Sequence, residues 1–167
     1  MKSSFFVSGV PCTGKTWLGN WLFENEGFEH VDAEKNGGRD LDTVGIHHEW
    51  DSVASEGRAD NLARKIAALP KPVVLNWGFP MSYLYFVRAL QVAGIETWWI
   101  RADPQLARDA FISRGGINVA CFDRQIGDIN RNIALIELVF GTRIIDGLTT
   151  NGEQRHPSEL WSEMNQK

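Results

Sequence analysis

Gly9-Val10-Pro11-Cys12-Thr13-Gly14-Lys15-Thr16 decides how the rest of the chain is read, because it follows the spacing G-x-x-x-x-G-K-[ST]. Glycines at both ends let the backbone wrap closely around an anion, with successive N–H groups turned inward. The helix that follows the loop adds the positive end of its dipole. Lys15 then reaches outer phosphates as a point charge. The Thr16 hydroxyl is the oxygen ligand that Mg²⁺ prefers. Gly9, Pro11, Cys12, Thr13, Gly14, Lys15, Thr16 and Trp17 are therefore candidates for binding a nucleotide such as ATP, with Thr16 also a metal candidate.

The flanks suit that reading. Ser4-Phe5-Phe6-Val7-Ser8 is a short apolar strand, and Trp17, Leu18, Trp21 and Leu22 recur at helical spacing until Gly27. Phe28–Asp32 reads as a second strand. Two helices follow it, the second holding Leu62, Ile66 and Leu69 and stopped at Pro70-Lys71-Pro72. Val73–Trp77 is a continuous apolar run that suits a parallel strand covered on both faces. Met81, Leu84, Val87 and Leu90 mark the next helix, Ile95–Ile100 a fourth strand, and Asp103-Pro104 a helix start with proline in its first turn. Ile126, Ile129, Ile133, Ile136 and Phe140, at spacings of 3, 4, 3 and 4, predict one long amphipathic helix. Arg143–Asp146 is a fifth strand and Pro157 opens a terminal helix. Strands alternating with helices predict an α/β, three-layer fold around a parallel sheet.

Composition bounds the rest. The 167 residues, 43% from the hydrophobic set, suit a single domain spanning 1–167. Seventeen basic against 21 acidic side chains, a net charge of −4, argue against a long nucleic acid as partner. The apolar start is too short for a signal-peptide core and no stretch suits a membrane span, so the expected location is the cytoplasm. Cys12 and Cys121 are too far apart in sequence for a Cys-x-x-Cys site and read as reduced thiols. Adjacent His47 and His48 point in different directions on a helix and make a poor metal pair. Seven tryptophans are unusual for this length. Most are expected in the core, Trp77 and Trp50 being candidates for a pocket wall.

A phosphate-binding loop leaves open whether the chain is a switch, a motor or a transferase. No Asn-Lys-x-Asp of a GTPase is present, and Val73-Val74-Leu75 ends in Asn76-Trp77-Gly78 rather than in an acidic pair. Asp32 and Glu34, at the end of strand two, are the candidate carboxylates, one for the metal shell and one for taking a proton from an attacking hydroxyl. Arg108, Arg114, Arg124 and Arg131 are candidates to neutralise a moving phosphoryl group. Gly115-Gly116 beside Arg114 is a candidate hinge for a lid over about residues 114–122. The reading is an ATP- and Mg²⁺-dependent transfer of the γ-phosphate to a hydroxyl or phosphate of a small-molecule or nucleotide-like acceptor. An ATP-binding regulatory module or slow ATPase without an acceptor is the alternative. Acceptor identity and oligomeric state are left open.

With the loop, the Val73-Val74-Leu75-Asn76-Trp77-Gly78-Phe79 run and Asp103-Pro104 in place, the chain resembles small kinases of the nucleoside monophosphate kinase-like P-loop group. These include shikimate and gluconate kinases, chloramphenicol phosphotransferases and polynucleotide 5′-kinases, and the Trp-Gly-Phe run is most similar to one branch of that group. The resemblance covers nearly the whole chain and implies five parallel strands in the order 2-3-1-4-5. It implies a catalytic carboxylate at Asp32 or Glu34, phosphate-directed roles for Lys15, Arg114 and Arg131, and a base site between Arg108 and the loop Gly147–Thr149. Asp32 joins Thr16 as an implied metal residue, and the acceptor segment falls at about 33–69, with Arg39, Asp40 and Arg58 as candidates. The chain departs from the group's pattern at Glu34, at Asn76 and in the six-residue separation of Arg108 and Arg114.

Overall fold

The computed structural model describes residues 3–167. Five strands, β1 (Phe5–Gly9), β2 (Glu29–Asp32), β3 (Val73–Asn76), β4 (Glu96–Arg101) and β5 (Ile144–Asp146), form one all-parallel sheet in the order β2-β3-β1-β4-β5. Parallel neighbours need crossover connections, and the helices that supply them cover both faces. Strand bounds move by at most a residue or two from the sequence reading.

Alternation along the strands divides the core in two. Phe5, Val7, Val74, Trp98, Ile100 and Ile145 pack with Leu18 and Leu22 of α1 (Lys15–Asn25) and Leu160 and Met164 of α9 (Pro157–Met164). Phe6, Leu75 and Trp99 face the opposite layer. That layer includes α3 (His47–Glu56), α4 (Asp60–Ala67) and α5 (Leu84–Val92), together with α7 (Val119–Arg131) and α8 (Ile133–Phe140). Trp98 and Trp99 thus go to opposite faces, as the period of a strand requires.

Three sequence expectations change. The segment between β2 and β3 holds three helices rather than two, because a one-turn helix, α2 (Leu41–Val44), is capped by the Asp40 carboxylate on the Thr43 N–H. The isoleucine stripe is broken at Asn132, which leaves helical geometry (φ −107°, ψ 12°), so α7 and α8 are separate and Ile133 is 43% exposed. The tryptophans are also redistributed. Trp17 is exposed and meets the His156 ring edge-on at 5.4 Å, whereas Trp50 is 6% exposed and lies in the core. Trp77 packs on Trp50, Tyr83 and Phe86 at centroid distances of 5.3, 5.4 and 5.1 Å.

The helix α6 (Pro104–Ser113) starts as its sequence predicts, with the Asp103 carboxylate accepting from the Gln105 and Leu106 N–H groups. It ends at Gly115 (φ +80°) and at Gly116, where a Cβ would lie 2.4 Å from the Phe111 ring. Phe111 in turn stacks on Phe122 of α7 at 4.7 Å. The span 114–122 is therefore a short turn followed by the first residues of α7, joined to α6 by a ring stack.

Candidate nucleotide and acceptor site

Parallel register brings the ends of β1, β2 and β3 to one edge of the sheet, where ligands of open α/β folds gather. Gly9 has φ +149°, and a Cβ there would fall 2.1 Å from the Ile100 carbonyl oxygen, so only glycine lets the loop leave β1 this way. Cys12 (φ 64°) and Gly14 (φ 91°) are also left-handed. The Thr13 hydroxyl donates to the Val10 carbonyl at 2.8 Å, and Lys15 Nζ donates to the Gly9 and Val10 carbonyls at 3.1 and 3.0 Å. The ammonium is folded back over its own loop. Its burial pulls the Lys15 pKa below the usual lysine range, with Glu34, Cys12 and Asp32 opposing that shift.

Asp32 is fully buried and committed to positioning. Its Oδ2 accepts from the Thr16 hydroxyl and from Asn76 Nδ2, both at 3.3 Å, while its Oδ1 accepts from the Glu34 N–H at 2.8 Å. Asn76 pairs in register with Asp32 and also donates to Thr16 Oγ1 at 3.3 Å. The Asn76 Oδ1 atom is buried without a partner among the described residues. The Thr16 hydroxyl and the Asp32 carboxylate, 3.3 Å apart, are oxygen donors of the kind a hard divalent cation takes. Glu34, two residues on, is exposed and accepts from the Gly78 N–H through Oε2 at 2.9 Å.

Two cavities meet here. The larger, about 340 Å³, is lined by the loop from Pro11 to Trp17, by Glu34, Asn36 and Gly78, and by Arg114, Gln125 and Gln154. The smaller, about 120 Å³, lies beyond Pro11, Gly78 and Gln125, which border both.

Lys15, Thr16, Trp17, Glu34 and Arg114 are thus brought to one cavity, with Asp32 beneath it. Gly147 lies against the loop from the far side, since a Cβ on it would come within 2.7 Å of Thr13. Thr149 bonds within its own turn, its hydroxyl accepting from the Glu153 N–H at 3.2 Å. Arg108 is engaged with Asp123 at 2.9 Å, and Arg131 is paired with Asp128 on the exposed side of α7. Neither arginine lines the two cavities. Of the 33–69 segment only Glu34 and Asn36 reach them; Arg39 pairs with Glu29 at 3.0 Å, and Asp40 caps α2. Trp77 and Trp50 line neither.

Sequence reasoning missed Gln154, Gln125 and Asn36. Gln154 has no motif around it, yet its Nε2 donates to the Cys12 carbonyl at 2.9 Å. Gln125 sits one residue before Ile126 of the apolar stripe and three before Asp128, so the polar face of α7 was its signal. Gly37 and Gly38 were also read only as loop. A Cβ on Gly37 would lie 2.6 Å from Thr16 Cγ2, and one on Gly38 would lie 2.9 Å from the Asp32 amide nitrogen. Their bare backbone runs directly over the head of α1. The following residue, Arg39, donates to the His30 carbonyl and accepts from the Asp32 N–H, at 2.9 and 3.0 Å.

No protein-family model matches the chain, and no curated protein sequence matches it. Solved structures do. A gluconokinase from Sinorhizobium meliloti 1021 is 15% identical over 97% of this chain and 89% of its own, with a TM-score of 0.56. A shikimate kinase from Bacteroides thetaiotaomicron is 14% identical over 98% and 95%, with a TM-score of 0.57. A shikimate kinase from Acinetobacter baumannii, solved with shikimate, is 15% identical over 98% and 91%, with a TM-score of 0.59. At these identities the likeness is one of fold, and the chain has the five-stranded parallel 2-3-1-4-5 architecture of small P-loop kinases.

Proposed function

We propose that the chain is an ATP:hydroxyl phosphotransferase acting on a small molecule. The observation that carries this reading is the loop of Gly9 to Thr16 at the head of α1, with Thr16 held by buried Asp32 and with Glu34 exposed in the same cavity.

Loop amides and the Lys15 ammonium hold the phosphate chain, and release of Lys15 from its carbonyl partners frees it to do so. Thr16 and Asp32 would hold Mg²⁺, which when bound neutralises phosphate charge. Asp32 already spends both oxygens on Thr16, Asn76 and the Glu34 N–H. Glu34 is the carboxylate in contact with the cavity and takes the proton from the acceptor hydroxyl as that hydroxyl's oxygen bonds to the γ-phosphorus and the bond to the β–γ bridging oxygen breaks, with ADP leaving. Arg114, in the turn that follows α6, stabilises charge on the transferring oxygens. The second cavity beside Gly78 supports a transferase over an ATPase, because hydrolysis needs no acceptor chamber.

The test is acceptor-dependent transfer of labelled phosphate from ATP across a panel of hydroxyl compounds, in wild type and Lys15→Ala. Transfer that disappears in Lys15→Ala, with the circular-dichroism spectrum unchanged, is expected. Transfer by Lys15→Ala at the wild-type rate would sink the proposal. ATP binding without transfer to any acceptor would favour the regulatory or slow-ATPase alternative.

A further inference from the structure

The smaller cavity differs in chemistry from the one beside the loop. Its walls include Phe79, Met81, Trp99 and Ile129, and its polar side chains are Gln125 and Asp128. No lysine, arginine or histidine lines it. The one charged residue, Asp128, is paired with Arg131, one turn on along α7.

From this lining we infer that the acceptor is an uncharged, hydroxyl-bearing molecule whose apolar ring sits in the cavity between Phe79 and Ile129. The inference rests on the phosphotransferase reading and narrows its substrate class.

Three observations support it. A carboxylate or phosphate moved into this chamber would lose water and find no cation, which costs far more than burying a neutral ring. An ammonium would have to share the carboxylate of Asp128 with the like charge of Arg131. The volume, about 120 Å³, is close to that of cavities that hold one six-membered ring. Polar complementarity for a neutral ligand is present as well. The Gln125 amide offers both a donor and an acceptor, and the Trp99 indole N–H, buried without a partner among the described residues, leaves a donor unsatisfied. Gln125 and Gly78 border both cavities, so a ring held here places a hydroxyl on the side where the Gly78 N–H holds Glu34.

The experiment uses three probes of one shape: 1,4-benzenedimethanol, 4-(hydroxymethyl)benzoate and 4-(aminomethyl)benzyl alcohol. Each is titrated into the ¹⁵N-labelled protein, with the Trp99 indole N–H resonance as readout, and ATP binding is measured on the same sample. The diol is expected to shift that resonance and to bind about tenfold more tightly than either charged probe. Met81→Lys, at the half-buried rim, is expected to reverse the order in favour of the benzoate, and Ile129→Lys to do the same from the inner wall. Equal or tighter binding of a charged probe to wild type would overturn the inference. So would a Trp99 resonance that no probe moves, or a preference unchanged in Met81→Lys. Loss of ATP binding in wild type would strike the underlying phosphotransferase reading, whereas ATP binding with the wrong probe order strikes this inference alone.

Discussion

The Gln154 side chain reaches across 142 positions of sequence to donate a hydrogen bond to the Cys12 carbonyl at 2.9 Å. Cys12 is left-handed without being glycine, so the loop holds an uncommon conformation at the point where this tie is made. Gln154→Ala is expected to cost about 1 kcal/mol, the net worth of a typical hydrogen bond. In a domain of this size that lowers Tm by about 2–4 °C. ATP affinity should fall with it, measured by calorimetry beside thermal denaturation; unchanged values in both would show that the loop is rigid without Gln154.

Gly147 occupies the other side of the same loop, where an added Cβ would sit 2.5 Å from Ile100 Cγ2 and 2.7 Å from the Thr13 carbonyl oxygen. Backbone cannot move aside as a flexible side chain can. Gly147→Ala is therefore expected to destabilise by about 1–3 kcal/mol through overpacking. Chemical denaturation checks it, and a midpoint within error of wild type would mean that the β5 turn relaxes freely.

Asp32 and Glu34 should separate cleanly in experiment. Asp32→Ala leaves the Thr16 hydroxyl without its acceptor and the Asn76 amide with only one of its two, in a buried place, at an expected cost of about 1–3 kcal/mol in stability. Glu34→Gln keeps an oxygen for the Gly78 N–H and sits at the surface, so stability should hold. As the proton-taking group, its loss should lower kcat by about 10²–10⁴ with ATP affinity retained. The opposite pattern, kcat lost in Asp32→Asn and kept in Glu34→Gln, would exchange the two roles.

His30 gives the protein an acid-sensitive point. It is 2% exposed, its Nδ1 is 2.9 Å from the Asn20 Oδ1, and its Nε2 has no partner among the described residues. Burial lowers its pKa below the ordinary 6.5, with Asp32 and Glu29 opposing. The unfolded chain then binds a proton that the folded one refuses, so this contribution is full above the unfolded pKa and is lost as pH falls toward the folded one. Tm should drop between pH 7.5 and 5, and His30→Gln should flatten that part of the profile. A parallel profile in the variant would assign the acid sensitivity to other groups.

The sheet was legible in the sequence because buried parallel strands announce themselves as apolar runs, and the loop because its chemistry needs fixed residues at fixed spacing. Lys15 and Thr16 belong to that spacing, whereas Asp32 and Glu34 were named from the end of strand two and Arg114 from its charge beside two glycines; all but Asp32 line the larger cavity. Gln154 and Gly147 were not derivable from the residues alone: the loop residues they touch, Cys12 and Thr13, lie more than 130 positions away, and neither amide nor glycine carries a local signal of such contact. The break at Asn132 was hidden by a hydrophobic period that continues across it, since periodicity reports which face is buried and is blind to one residue's backbone. Arg108 and Arg131 were named for their charge, and in this structure Asp123 and Asp128 hold them outside the two cavities.

The strip of chain over the head of α1 has a further consequence at the margin of the sheet. β2 is an edge strand, and an edge with open N–H and carbonyl groups is a template for another strand. Arg39 occupies part of that template by bonding to both His30 and Asp32. The glycines that let this strip lie flat on Thr16 and Asp32 therefore also shield the molecule from strand-to-strand association. Lengthening or rebuilding it to alter the site would at the same time reopen a route to aggregation.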